Sequence, residues 1–160
     1  MAQIHSIAPV FDQKSRVLIL GSFPSVKSRE VGFFYGHPQN RFWTTLAHVF
    51  EADRPHTIVE KRAFLLSHGI ALWDVIASCE VIGSSDASIK NAQPNDLSFI
   101  LQNAPIEQIF TNGGMAHKLY CRYHLPQTGI EAVQLPSTSP ANAAWTQARL
   151  DMAWSMLRKQ

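Results

Sequence analysis

Cysteines and charged residues are scarce in this sequence, and no long apolar run occurs. Two cysteines are present among 160 residues, Cys79 and Cys121, without Cys-x-x-Cys spacing. Such a pair predicts reduced, structural thiols in an intracellular protein, and it cannot supply the four ligands of an iron–sulfur cluster. No segment has the pattern of a signal peptide, a transit peptide or a membrane span. We therefore expect no membrane partner.

Sequence motifs for metals and phosphates are also missing. The seven histidines form no His-x-x-x-His pair with an adjacent carboxylate, and such spacing is typical of a metal site. Neither the Lys-containing phosphate loop nor the glycine pattern of dinucleotide-binding proteins occurs. We therefore expect neither a metal nor a cofactor. A formal net charge of +2 permits a nucleic-acid partner but does not by itself indicate one.

The alternation of apolar segments predicts a single α/β domain that spans residues 1–160. With 46% apolar residues, the chain can bury a substantial core, and no repeat or linker divides it. Residues 1–13 are interpreted as an irregular arm and residues 83–88 as a turn-rich segment. We predict buried strands at Arg16–Leu20, Ile70–Ile76, Ile106–Thr111 and Glu131–Leu135. Helices are expected at Asn40–Glu51, Thr57–Ser67, from Pro94 or Asn95 to Leu101, after Gly114 to about Tyr123, and at Ala141–Arg158.

Strands that alternate with helices indicate a central four-stranded parallel sheet in a three-layer α/β/α fold. Ligands of such folds bind where loops leave the carboxyl ends of the strands. Here those loops begin at Gly21, Trp73, Asn112 and Pro136, and they are the most polar and glycine-rich parts of the chain. We therefore expect the functional site at this edge of the sheet.

The first of these loops continues to Trp43 and has an unusual composition. Three consecutive aromatic residues, Phe33 to Tyr35, precede His37 and Asn40. Aromatic faces beside imidazole and amide groups can hold a flat ligand with polar edges, and a nucleobase fits that description.

Two sequence blocks resemble the signatures of the uracil-DNA glycosylase superfamily. The first is Gly21-Ser-Phe-Pro-Ser25 with Gly32-Phe-Phe-Tyr-Gly-His-Pro-Gln-Asn-Arg-Phe-Trp43, and the second is Leu135-Pro-Ser-Thr-Ser-Pro-Ala-Asn142. The resemblance runs from about Arg16 to the last helix. It is closest to the hypoxanthine-DNA (deoxyinosine) glycosylases, with the mismatch-specific uracil-DNA glycosylases as the next relatives.

The resemblance implies an enzyme that flips a deaminated base, hypoxanthine above all, out of double-stranded DNA and removes it by hydrolysis. The product would be an abasic site for base excision repair, made by a monomer in the cytoplasm and associated with the nucleoid. Two alternatives stay open: a mismatch-specific uracil or thymine glycosylase, and a DNA-lesion-binding protein with weak catalysis.

Asn40 is the main catalytic candidate, because the resemblance places the catalytic residue of the hypoxanthine branch at this position. A side-chain amide can accept a hydrogen bond from water while it donates to the base or the sugar. An asparagine before Arg-Phe-Trp is also a good helix N-cap, so the two roles remain alternatives or coexist.

Asp74 is the second catalytic candidate, because the strand that it follows resembles the one that precedes the base-reading residue of relatives. Its carboxylate can accept from a purine N–H or hold a water, although a helix cap or a loop carboxylate is the alternative. Phe23 stands where most of the superfamily has Asp or Asn. Either the chemistry has moved to Asn40, or the activity is reduced or altered.

The base-binding candidates are Ser22, Phe23, Tyr35 and His37. The resemblance implies that Tyr35 stacks on the extruded base. His37 matches the same block, and it either contacts the base or braces the loop through a hydrogen bond.

The resemblance assigns the DNA contacts to two further loops. The backbone amides at Asn112 and Gly113 would approach a phosphate, unless this segment is an ordinary turn. The second block would press into the minor groove, unless it only caps the last helix. It lacks the bulky apolar wedge of many relatives, and its predicted DNA-binding residues are Ser137, Thr138, Ser139, Pro140, Ala141 and Asn142.

Overall fold

The computed structural model describes residues 2–159, which form seven strands and seven α-helices. The strands are β1 (Gln3–Ile4), β2 (Val17–Gly21), β3 (Ile70–Asp74), β4 (Ile76–Glu80), β5 (Lys90–Pro94), β6 (Gln108–Asn112) and β7 (Ala132–Leu135). The helices are α1 (Val26–Val31), α2 (Phe42–Val49), α3 (Ile58–Ser67), α4 (Ser98–Asn103), α5 (Gly114–Tyr123), α6 (Leu125–Thr128) and α7 (Gln147–Trp154). Short 3₁₀ helices cover Asp86–Ser88 and Ser155–Lys159.

A four-stranded parallel sheet lies at the centre of the protein, in the order β3-β2-β6-β7. The predicted parallel sheet is therefore confirmed. β2 is buried along its whole length, which explains its continuous apolar sequence. Its two neighbours, β3 and β6, both follow it in the chain after intervening helices, as parallel pairing requires.

Hydrophobic cores cover both faces of this sheet. Val17 and Ile19 of β2 pack in one core with residues of α2, α3 and α7. The intervening residues, Leu18 and Leu20, pack in the other core with residues of α4 and α5. Side chains of a strand alternate between faces, so this division confirms the three-layer arrangement.

A second, antiparallel sheet with the order β1-β4-β5 corrects several sequence-based expectations. The predicted strand Ile70–Ile76 is wrong at its end, because the chain leaves the parallel sheet after Asp74 and starts β4 at Ile76. The arm was expected to be irregular, but it contributes β1. Met1, the first residue of that expectation, lies outside the described residues. Pairing with β4 also extends the chain at Lys90–Pro94, so α4 starts at Ser98 instead of Pro94 or Asn95.

Three helices also differ from the expectation; α6 is one of them and was not predicted. Residues 26–31 form α1, which was not predicted; the side chain of Ser25 caps its start and Gly32, at φ +75°, ends it. The last helix was predicted from Ala141, but α7 begins only after Thr146, whose side chain accepts from the N–H of Arg149. The preceding residues form turns instead. The expected helices α2, α3 and α5 are present, with shorter ends for α2.

Core packing gives a direct test with two matched substitutions. Phe110 in β6 is fully buried, whereas Phe99 in α4 is 63% exposed. We expect Phe110→Ala to reduce the free energy of unfolding by about 3–5 kcal/mol, since it leaves a cavity between sheet and helices. Phe99→Ala should cost under about 1 kcal/mol. Urea unfolding of both variants measures the difference, and equal losses would contradict this assignment of the core.

Candidate active site

The register of the parallel sheet brings the polar strand ends together. Gly21 of β2 pairs with Asp74 of β3, and Asn112 of β6 pairs with Leu135 of β7. Beyond the sheet, the N–H of Val75 donates to the carbonyl of Gly21 at 2.8 Å. These bonds hold the ends of β2 and β3 side by side, so the loops that follow them share one space.

A cleft of about 130 Å³ opens at this edge of the sheet. The predicted site residues that line it are Ser22, Phe23, Tyr35, His37, Asn40, Asp74, Asn112, Ser137, Thr138, Ser139 and Pro140. The three others line an adjoining groove of about 1070 Å³, and they are Gly113, Ala141 and Asn142. The structure thus brings the predicted residues to two adjoining spaces.

Asn40 lies between the first loop and α2, half-buried at the cleft wall. Its Oδ1 accepts a hydrogen bond from the backbone N–H of Phe42 at 2.9 Å. The amide therefore ties down the start of α2, as a capping side chain would. No hydrogen-bond partner for its Nδ2 is found within residues 2–159, so this nitrogen remains as a donor for a ligand in the cleft.

Asp74 ends β3 and is 3% exposed. Its Oδ2 lies 2.8 Å from Nε2 of His5, whose side chain is also buried. Its Oδ1 has no hydrogen-bond partner in the described part of the chain and faces the Cα of Gly21. A Cβ at Gly21 would come within 2.4 Å of this oxygen, so glycine leaves the space that the carboxylate occupies. Sequence reasoning missed His5, because the arm shows no periodic pattern.

Tyr35 has a strained backbone and an unsatisfied hydroxyl. Its φ of +52° lies in the left-handed region, which non-glycine residues seldom adopt. The ring stacks on Phe42 with centroids 4.0 Å apart, while its hydroxyl is buried without a hydrogen-bond partner among the described residues. Burial raises the pKa of Tyr35 far above its usual range, the Asp74 carboxylate adds to this shift, and the neighbouring Asn112 side chain opposes it. The hydroxyl therefore stays protonated.

Asp86 is a site residue that sequence reasoning did not single out. It belongs to the short 3₁₀ helix of the turn-rich segment and contributes to both the cleft and the groove. The hydroxyl of Ser22 donates to its Oδ1 at 2.6 Å. Desolvation raises the pKa of Asp86, the Ser22 hydrogen bond opposes that shift, and the charge of Asp74 adds to it. The cleft thus has two carboxylates, and neither Lys nor Arg is among its lining residues.

Internal hydrogen bonds brace the second signature loop. The side chain of Asn112 donates to the hydroxyl of Thr138 and accepts from its backbone N–H, at 3.0 and 3.1 Å. Thr138 is fully buried, and Asn142 donates to the carbonyl of Ser137. The side chains of Asn112 and Thr138 therefore support the loop from inside, whereas Pro140 and Ala141 are exposed at its tip. Direct DNA contact by these two buried side chains would require the loop to open.

Gly113 allows the loop to approach α5 closely. Its φ is +96°, and a Cβ there would lie 3.1 Å from the Cβ of Ser137. The hydroxyl of Ser137 accepts from the N–H of Ser139, and that of Ser139 accepts from the N–H of Ala141. These bonds shape the groove wall that both blocks share.

Arg41 joins the two signature blocks. Its guanidinium donates to the carbonyls of Trp145 and Asn142, and its backbone N–H donates to the carbonyl of Thr138 at 3.1 Å. These contacts give Arg41 a structural role. Because Arg41 follows Asn40 directly, the second loop and the candidate catalytic amide are held as one unit.

His37 and Phe23 have packing roles in addition to lining the cleft. Nδ1 of His37 accepts from the backbone N–H of Gln39 at 3.1 Å, which braces the first loop. The ring of Phe23 meets His5 edge-on, with centroids 6.0 Å apart, and Arg29 lies over it. Phe23 offers no polar group to a water, so any water activation falls to neighbouring residues.

Within residues 2–159, no group of three or more His, Cys, Asp or Glu side chains could hold a metal ion. In the same range, no helix has the length and apolar character needed to span a bilayer.

The unsatisfied hydroxyl of Tyr35 generates a prediction about stability. Tyr35→Phe removes a buried group that lacks a partner, so we expect it to raise the free energy of unfolding by about 1–3 kcal/mol. Tyr120→Phe is the matched control, because the Tyr120 hydroxyl donates to the carbonyl of Ile130 at 2.6 Å. That variant should lose about 1–2 kcal/mol. Chemical unfolding measures both; a destabilised Tyr35→Phe variant would show that its hydroxyl is satisfied.

Comparisons with known proteins show the family of this chain. A family model described as "Uracil DNA glycosylase superfamily" matches residues 8–159. The chain is 34% identical over 142 residues to a protein of Methanosarcina acetivorans named "Hypoxanthine DNA glycosylase", covering 88% of this chain and 89% of that one. A protein of the same name from Methanosarcina barkeri is 33% identical over 138 residues, covering 84% and 85%. The solution NMR structure of a candidate uracil DNA glycosylase from M. acetivorans superposes with a TM-score of 0.84 at 30% identity, covering 99% and 98%. The chain belongs to the uracil DNA glycosylase superfamily.

Proposed function

We propose that this protein is a DNA glycosylase that removes hypoxanthine from DNA by hydrolysis and leaves an abasic site. It would act as a monomer on double-stranded DNA, in the cytoplasm and near the nucleoid. The observation that carries the proposal is the cleft itself, in which the Asn40 amide, the Asp74 carboxylate and the Tyr35 ring share one space. The names of the two Methanosarcina relatives support the choice of base.

The Asp74 carboxylate supplies a reason for choosing hypoxanthine over adenine, the base from which it forms by deamination. Hypoxanthine carries a proton on N1 beside its carbonyl, whereas adenine has a lone pair on N1. A carboxylate oxygen without a protein partner can accept the N1–H of hypoxanthine but repels the N1 lone pair of adenine. A site that hydrogen-bonds an N–H of one base rejects a similar base without that N–H, because the polar group of the site would be left unpaired. Asp74 therefore reads the base in this proposal.

Asn40 would direct the chemistry. Its Oδ1 is engaged with Phe42, so its Nδ2 is the part of the amide that donates to the departing base or to the sugar. The negative charge of the nearby carboxylates would favour the positive charge that develops on the sugar. Tyr35 would contact the extruded base, and Ser22 and His37 would close the sides of the cleft.

The groove beside the cleft would hold the DNA strand. The exposed residues Pro140 and Ala141 would lie against the duplex, while the hydroxyls of Ser137 and Ser139 and the backbone amide of Gly113 would meet phosphates. Asn112, Thr138 and Asn142 would act indirectly, since their hydrogen bonds set the shape of this wall.

Uracil is the second candidate substrate. It also has an N–H beside a carbonyl, so the Asp74 oxygen could accept from it in the same way. Phe23 lies in the cleft where most of the superfamily has a polar residue for the attacking water, and this argues for hypoxanthine over ordinary uracil removal.

A panel of duplexes, each with one altered base, tests the proposed function. The protein is incubated with duplexes that contain inosine, uracil opposite guanine, or no lesion, and alkali then cleaves abasic sites. We expect strand breaks at inosine and none in the unmodified duplex. Breaks at uracil alone would assign the alternative substrate. Tight binding to the inosine duplex without breaks would instead indicate a lesion-binding protein.

Substitution of Asn40 separates catalysis from helix capping. Asn40→Asp keeps the oxygen that accepts from Phe42 but lacks the N–H₂ donor, and Asn40→Ala lacks both. We expect both variants to lose about 100-fold or more in single-turnover excision, the scale of one positioned donor in a polar active site. Only Asn40→Ala should also lose about 1 kcal/mol of stability, as loss of a cap does. Full excision by Asn40→Asp would contradict the role of the Asn40 nitrogen.

A further inference from the structure

The N-terminal arm passes beside Asp74 of the candidate active site. β1 pairs with β4 through Gln3 and Ile4, and the N–H of His5 donates to the carbonyl of Ala77 at 2.6 Å. Trp73 donates from Nε1 to the carbonyl of Ile7 at 3.0 Å. The arm is thus fastened on both sides of His5, which has little freedom to move away from Asp74.

The hydrogen bonds of His5 define the tautomer of its ring. Nδ1 accepts from the backbone N–H of Ile7 at 3.2 Å, so this nitrogen carries no proton. In the neutral ring the proton then lies on Nε2, which donates to Oδ2 of Asp74 at 2.8 Å. The side chain of His5 is 1% exposed and that of Asp74 is 4% exposed. Water therefore has almost no access to this bond.

An aromatic enclosure surrounds the ring of His5. Phe23, Phe34 and Trp73 lie with centroids 6.0, 6.1 and 6.0 Å from its own. A buried carboxylate is costly unless hydrogen bonds compensate its charge. In this apolar surrounding, His5 is the side chain that supplies such a bond to Asp74 within the described residues.

We propose that His5 is a positioning residue whose Nε2–H holds Oδ2 of Asp74 and thereby aims Oδ1 at the base. This inference rests on the proposed function, and it extends the site to an arm that lies outside both signature blocks. One oxygen of the Asp74 carboxyl, Oδ2, accepts from His5, and the other, Oδ1, is left for the ligand. Without His5, the carboxyl can rotate, and Oδ1 is then no longer aimed at the base.

Two substitutions of His5 distinguish the hydrogen bond from the packing. His5→Phe keeps an aromatic ring among Phe23, Phe34 and Trp73 but has no donor. His5→Gln loses the ring but keeps a nitrogen donor near the position of Nε2. We expect His5→Phe to lower the single-turnover excision of hypoxanthine from an inosine duplex about 10- to 100-fold, the size of effect that loss of a hydrogen bond to a charged group gives. His5→Gln should recover most of that loss.

The Asp74→Asn background tests whether His5 acts through Asp74. If it does, adding His5→Phe to Asp74→Asn should change the excision rate less than twofold, because the carboxylate is already gone. His56→Phe, an exposed histidine substituted in the same way, serves as the control and should excise like the parent chain. A loss of equal size in both backgrounds, or an unchanged rate in His5→Phe, would overturn the proposal.

A measurement without substrate keeps the inference separate from the proposed function. Nitrogen-15 chemical shifts of the parent chain report the ring tautomer of His5, for which we expect a proton on Nε2 and a bare Nδ1. A proton on Nδ1 alone would overturn the proposal whatever base is excised. If the parent chain releases no base from the duplex panel, the proposed function fails, and the tautomer still decides whether the hydrogen bond exists.

Discussion

The candidate site depends on the pairing of Gly21 with Asp74 at the carboxyl end of the parallel sheet. This register places the carboxylate over the Cα of Gly21, and the hydroxyl of Tyr35 reaches the same spot. A Cβ on residue 21 would come within 2.4 Å of the carboxylate oxygen and 2.9 Å of the phenol oxygen. Glycine is therefore required here because a side chain would not fit. Its backbone conformation is not the reason, since the φ of Gly21 is not in the left-handed region. The first glycine of the signature block thus leaves room for two polar groups at the floor of the cleft.

The residues at the floor of this cleft lower the stability of the fold. Tyr35 combines a left-handed backbone with a buried hydroxyl that lacks a partner among the described residues. Each of these features costs folding free energy, and such strain concentrates at sites where a ligand supplies the missing contact. Asp74 likewise has one carboxylate oxygen without a hydrogen-bond partner within residues 2–159. The rest of the core shows the opposite pattern, as Tyr120 illustrates with its satisfied hydroxyl.

The sheet and the location of the cleft could be predicted because both follow from local sequence. Continuous apolar runs indicate buried parallel strands, and polar, glycine-rich loops at their ends indicate where a ligand binds. The antiparallel sheet could not be predicted in this way, because β1 is only two residues long and pairs with β4 across more than 70 positions. The contact between His5 and Asp74 follows from that pairing. Local periodicity contains no information about such a distant partner, and the same holds for Asp86, which lies in a segment of turn residues.

The contacts of Asn40 alter the role that the sequence alone suggested for it. A free amide can both accept and donate, and so it could hold a water through its oxygen. In the structure that oxygen faces the N–H of Phe42, and the adjacent Arg41 is bound to the second loop through three carbonyl groups. An amide fixed at this end can offer its nitrogen in only a narrow range of directions. Asn40 is therefore better suited to donate to developing negative charge on a departing base than to move with a water. In the proposed function, acceptance from the base or from water would then fall to Asp74, whose Oδ1 has no hydrogen-bond partner in the described part of the chain, and the two residues would divide the donor and acceptor roles.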